Sequence, residues 1–285
     1  MTDHTLAAAP SLLPLYARAA VTGPLHRGDT LPASVYTLEA QTIDPRHLVA
    51  YERVCGFGVS DVLPPTYLHV LAFPLSVALM TERSFPFPLV GMVHVANSIT
   101  VARPVRSDET VSFTVQAQDL RPHPAGRQFD LVAAASVDGE TVWSGRSTYL
   151  RRGKPPGMKP DGERQRTELA PQAGAVAQVR VPGDIGRRYA AVSGDRNPIH
   201  LHALTARAFG FPTAIAHGMW LKARTLASLE GRLPDAYTVD VAFKLPVPLP
   251  STVSIGAVGS GDDWALDARA AESGKPHLAG TVTTS

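Results

Sequence analysis

The sequence is short of several things, and each shortage excludes a class of protein. It has one cysteine, Cys55, in 285 residues, so an intramolecular disulfide and every multi-cysteine zinc or iron–sulfur site are ruled out. Within "YERVCGFG" that thiol reads as a small buried hydrophobe. An excess of either charge is also missing: 27 Lys and Arg stand against 25 Asp and Glu. No overall field therefore selects nucleic acid or an anionic membrane. No apolar run reaches the length of a membrane-spanning helix. Asp3 occupies the place of a signal peptide's positive segment, and Pro10 and Pro14 interrupt the apolar stretch that follows. Residues 1–30 accordingly read as a partly ordered leader, and the protein as cytoplasmic. The glycine-rich signatures G-x-G-x-x-G, G-K-S/T and G-x-S-x-G are absent as well, which removes the usual supports of nucleotide phosphates and serine nucleophiles.

What is present is enough apolar residue, 44%, for a sizeable core, arranged as a repeat. Tyr51-x-x-Val54-x-Gly56 parallels Tyr189-x-x-Val192-x-Gly194, and Pro65-Thr66 before an apolar helical stretch parallels Pro212-Thr213 before another. "VARPVRSDETVSF" at 101–113 lies over "FKLPVPLPSTVSI" at 243–255. Leu131, Gly139 and Gly145 then match Leu266, Gly274 and Gly280 at one constant offset. Between the copies, "RRGKPPGMKPDGERQRTELAPQAGA" carries proline, glycine and charge without an apolar period, the pattern of a solvated linker. The division is therefore a leader (1–30), a first copy (31–150), a linker (151–178) and a second copy (179–285).

Each copy reads as a loop, one helix (67–82 and 216–232) and then consecutive strands rich in Val, Thr and Phe. Strands that follow one another directly imply an antiparallel sheet, so the fold class is α+β.

The copies differ most between the tyrosine and the helix, where the second has nine extra residues by the Pro65/Pro212 alignment. That insertion reads "SGDRNPIHLHALTARAFGFPTAIAHGM". Asn197-Pro198 is an N-cap followed by a proline suited to the first helical position, and Gly210 is a stop, so a helix over about 198–209 is expected. His200 falls in its first turn, where the helix dipole would keep the imidazole neutral. Asp195 lies just ahead, able to share a water with it. Gly218, at the start of the next helix, offers an unobstructed N–H to a substrate carbonyl oxygen, which for an acyl substrate makes an oxyanion hole. The set of Asp195, His200, His202 and His217 lacks zincin spacing, and no metal is expected.

This string resembles the signature of the MaoC-like dehydratases, or (R)-specific enoyl-CoA hydratases: S/T-G-D-x-N-P, an aliphatic residue and histidine, then A-H-G-M. The repeat extends the resemblance over about 31–285, to two-domain members with a degenerate first half, similar to actinobacterial 3-hydroxyacyl-thioester dehydratases. The fold it implies is a double hotdog, two antiparallel sheets each wrapped around a long helix. It implies Asp195 and His200 as the catalytic pair, Asn197 as their orienting asparagine, Gly218 as the oxyanion donor, and Ala216, His217 and Met219 as substrate neighbours. It further implies an acyl-CoA or acyl-carrier-protein thioester as substrate, with no cofactor. The first copy lacks the motif and, by the same resemblance, shapes the groove for the acyl chain. Thioester hydrolysis and a non-catalytic acyl-binding scaffold are the competing functions, and monomer and homodimer are both open.

Overall fold

The computed structural model describes residues 2–22, 29–153 and 175–284. In the first copy the elements are β2 (Ser34–Gln41), α2 (Pro45–Cys55), α3 (Pro65–Met80), β3 (Met92–Val101), β4 (Val111–His123), β5 (Gly126–Val137) and β6 (Glu140–Arg152). The second has β7 (Ala175–Val181), α4 (Ile185–Ser193), α5 (Pro198–Leu201), α6 (Ala203–Ala208), α7 (Gly218–Ala227), β8 (Tyr237–Phe243), β9 (Ser251–Ser260), β10 (Asp263–Ala270) and β11 (Pro276–Thr284). Ahead of both lie β1 (Thr2–Leu6) and α1 (Leu12–Thr22).

The strands form one sheet in the order β1-β2-β4-β5-β6-β3-β8-β11-β10-β9-β7. Apart from β1, this order reads the same from either end once each strand is replaced by its counterpart. A pseudo-twofold therefore passes through the β3–β8 seam, where Ser98 faces Asp240. All pairings are antiparallel except β1 on β2. The α+β, hotdog-type reading of the sequence holds, with the correction that the two sheets expected are joined edge to edge at β3–β8 into one.

The central helices form for different reasons. α3 is apolar on every side, and Leu68, Leu75, Val77 and Leu79 are buried at 2% exposure or less; burial rather than amphipathicity selects it. Pro74 lies inside it without ending it. α7 is shorter than the expected 216–232 and carries a buried lysine, whose pKa burial pushes well down. Lys222 Nζ donates to Asn97 Oδ1 (2.6 Å), Asn97 O (3.2 Å) and Val239 O (3.0 Å). One side chain thus satisfies acceptors on both halves of the seam, which is how such a group is tolerated in a core. Cys55 is buried, and burial pushes its thiol up to about 12.

The linker's ends differ from the sequence reading, while the leader, read as partly ordered, has described structure. The leader contains a strand and a helix: β1 extends the sheet, and α1 reaches the second copy through Tyr16. Of the linker, 151–152 and 175–178 are strand, and 154–174 lie outside the described residues. Among the described residues no helix is long and apolar enough to cross a membrane.

Candidate active site

The insertion of the second copy is not one helix. Asn197 caps α5, its Oδ1 accepting from Ile199 N (3.4 Å), but His202 is extended (φ −145°, ψ 145°) and separates α5 from α6. A four-residue helix has little dipole, so the expected reason for a neutral His200 fails. Burial, the largest influence on this imidazole, lowers its pKa instead, while Asp195 and the hydrogen bond to Ile215 pull the other way.

The His200 position is set from three sides. Its Nδ1–H donates to Ile215 O (2.8 Å), the tautomer that leaves Nε2 as the acceptor nitrogen. Its own N–H donates to Asn197 O (3.0 Å). Its carbonyl lies against α4 at Gly186, where a Cβ would come within 2.0 Å of His200 O. Gly186 went unremarked in the sequence, because nothing local marks a glycine needed for close approach.

Asp195 follows Gly194, whose left-handed conformation (φ 73°) ends α4 as Gly56 (φ 82°) ends α2. Its Oδ1 accepts from Asn197 N (3.1 Å), so asparagine and aspartate form the capping pair and also fix the loop. His217 backs them both: its Nε2–H donates to Asp195 O (3.0 Å), and its ring stacks on His200 with centroids 3.7 Å apart. Its Nδ1 is buried without a partner. The structure thus places His217 behind the pair, where it holds the Asp195 loop.

A donor atom from each of Asp195, His200 and His217 lies within 4.8 Å of the others. That gap suits one water bridging carboxylate and imidazole, since two hydrogen bonds of about 2.8 Å meeting at a water span about this distance. The same spacing could hold a cation, but two of the four imidazole nitrogens already serve the Ile215 and Asp195 carbonyls. His202, the fourth residue of the metal question, is the extended joint between helices.

Gly218 is the first residue of α7, so its N–H has no partner within the helix. A Cβ there would lie 3.0 Å from the Phe243 ring. Ala216 and Met219 are buried on either side; Ala216 N donates to Val247 O (2.9 Å), and Met219 packs into the core.

Four groups from outside the second copy also border the site. Tyr16 of the leader donates to Gly194 O (3.3 Å) and accepts from Arg196 N (3.2 Å), clasping the loop on both sides of Asp195. Burial and then the Asp195 carboxylate push the Tyr149 hydroxyl above its usual range. His69 is lowered to about 4 by burial and by Lys222, against a smaller pull from Asp195. His94 joins them, stacked on Tyr149 (4.6 Å) and edge-on to Phe243 (5.0 Å). The sequence signal for His69 is a histidine inside the otherwise apolar "YLHVLAF".

A duplicated hotdog with one carboxylate–imidazole pair beside a helix N-terminus defines the class. A family profile described as MaoC like domain matches residues 152–279. The chain is 39% identical over 257 residues to 3-hydroxyacyl-thioester dehydratase X of Mycobacterium tuberculosis, covering 90% of this chain and 91% of that one. The crystal structure of that species' HtdX superposes with a TM-score of 0.78 at 37% identity, covering 88% of this chain and all of the other. A MaoC-like dehydratase from Phytophthora capsici shares the fold (TM-score 0.70, 18% identity, 90% and 96% covered). The chain belongs to the MaoC-like dehydratase family.

Proposed function

We propose that the protein is a hydro-lyase that interconverts trans-2-enoyl and (R)-3-hydroxyacyl thioesters, with Asp195, His200 and Gly218 as its chemical groups and Asn197 and His217 as supports. The observation that carries this reading is the hydrogen bond from His200 Nδ1–H to Ile215 O. It fixes the tautomer, so that in the neutral ring that burial favours Nε2 is the acceptor, and a nitrogen of the ring lies within bridging distance of the Asp195 carboxylate. The name of the mycobacterial relative supports the substrate class.

In hydration, the thioester oxygen accepts the Gly218 N–H, and the start of the α7 dipole favours the charge that arrives there. A water held between Asp195 and His200 adds its oxygen to the β-carbon, and one of its protons passes to the pair. The pair returns a proton to the α-carbon on the same face, so the sum is one water across one double bond. Dehydration retraces these steps. The groups named here do this without a cofactor, and the chain acts in the soluble phase of the cytoplasm on a CoA or carrier-protein thioester.

The test follows the ultraviolet band of a short trans-2-enoyl-CoA beside a free-thiol assay. Loss of the band without thiol release, abolished in Asp195→Asn, is expected. Thiol release would replace the reading with thioester hydrolysis, and binding without turnover would replace it with a scaffold role.

A further inference from the structure

The first copy contains the geometric counterpart of the active site, and that place is hollow. The isolated bridge Val62–Arg106 repeats Ile215–Pro248, and Leu63 N donating to Val105 O (2.8 Å) repeats Ala216 N donating to Val247 O. Three residues after each bridge a central helix begins, at Pro65 and at Gly218. The preceding caps, Pro64 (φ −56°, ψ 138°) and His217 (φ −68°, ψ 138°), share one conformation. Pro65 is thus the counterpart of Gly218, which corrects the sequence alignment of Pro65 with Pro212. Tyr51 precedes Pro65 by 14 residues and Tyr189 precedes Gly218 by 29, so the insertion unique to the second copy is larger than it first looked.

Where the first copy lacks that insertion, a cavity of about 370 Å³ remains, within the range of small-molecule sites. Val62, Leu63, Leu68 and Val101 line it from the first copy; Leu229 and Leu233 close it from the second. Val101 is the counterpart of Phe243, the ring that covers Gly218 in the active site. The short loop at its mouth is held in place, with Ser60 N donating to Glu52 Oε1 (3.2 Å) and Gly58 N to Glu230 Oε2 (2.8 Å).

The lining decides what fits. Pro65 has no N–H, so the counterpart of the oxyanion donor is missing and a thioester carbonyl gains nothing there. Glu230 and Asp235 stand at the rim, and its guanidinium, Arg103, is already paired with Glu109 (2.7 Å). A carboxylate headgroup is disfavoured, and an uncharged alkyl chain suits the walls.

We propose that this cavity is a second, non-catalytic site that takes the acyl chain of another thioester molecule, so that the protein binds two acyl ligands per chain and turns over one. The ligand class rests on the function proposed above. The test uses S-decanoyl-N-acetylcysteamine, an uncharged saturated thioester that cannot be hydrated, titrated calorimetrically into wild type, Val62→Trp and Leu233→Trp. Val62 is 38% exposed and Leu233 only partly buried, so at least one indole should fill the cavity in a folded chain. Each folded variant is expected to lose one equivalent of ligand while hydration of a short enoyl-CoA stays within about twofold of wild type. Unchanged stoichiometry in both variants overturns the proposal. So does a parallel fall in turnover, which would make the cavity part of the catalytic groove. If no hydration is seen even in wild type, the function above fails, while the lost equivalent still decides the cavity.

Discussion

In the proposed mechanism Asp195 and His200 act together, so removing either should cost most of the acid–base contribution, about 10²–10⁴-fold in kcat. Asp195→Asn and His200→Ala are expected to show that loss with unchanged circular dichroism; a rate near wild type in either would sink the water-holding pair. Gly186→Ala tests position without touching the chemistry. Its methyl would meet His200 O at 2.0 Å, so α5 must shift, and a misplacement of about 1 Å can cost about 10²-fold in rate. The expected signature is a fall in kcat larger than the change in KM, since the substrate's own contacts are spared. The imidazole also predicts a pH profile. Burial holds His200 below its ordinary value of 6.5, so the base stays unprotonated on mild acidification. The acid limb of kcat/KM should therefore lie below pH 6.5; a limb at or above that value would show a solvated or charged histidine.

At the scale of elements, legibility followed locality. The repeat exposed the tyrosines and terminal glycines of α2 and α4, but the stretches holding these two helices read as loop; the left-handed caps at Gly56 and Gly194 are what a residue without a Cβ serves there. The strands were readable from β-branched runs. The Asp195–Asn197–Pro198–His200 motif was readable because its parts cap and position one another within six residues. The joint at His202 was not, since an i+3/i+4 pattern over 198–209 is equally compatible with one helix or two. Tyr16, Gly186 and Tyr149 were invisible for a different reason: each acts on a partner far along the chain, and nothing in their neighbours says so. Lys222 belongs to the same group and carries its own prediction. Lys222→Met would remove the donor that Asn97 Oδ1 has in the core, at about 1–3 kcal/mol for the unsatisfied group. A clear drop in the urea midpoint is expected, and an unchanged midpoint would mean that water replaces the lysine's donor.

Taken whole, the molecule buries several imidazoles in neutral form, and its stability should report this. Unfolded histidines take up protons as pH falls through about 6.5, whereas His69 does so only near 4, and His94 and His217 are also held well below 6.5. The unfolded chain therefore binds more protons between those values, and stability falls as pH drops through that window. Above pH 6.5 both states are neutral and the effect vanishes. Urea midpoints at pH 7.5 and 5.0 check the sign: equal midpoints would mean that these rings are solvated. Only part of this could be foreseen, because ten histidines do not announce which of them the fold will enclose.

The continuous β3–β8 seam has a genetic consequence. Were two identical chains joined along such a seam, every substitution would appear twice, and neither half could change its chemistry without the other changing too. One chain carrying both halves removes that coupling. The first half lacks a fifteen-residue segment that the second carries and has proline at the start of its central helix, differences that two identical chains could not show. The seam holds the shorter half in place, since Lys222 bonds to a strand of each half across it.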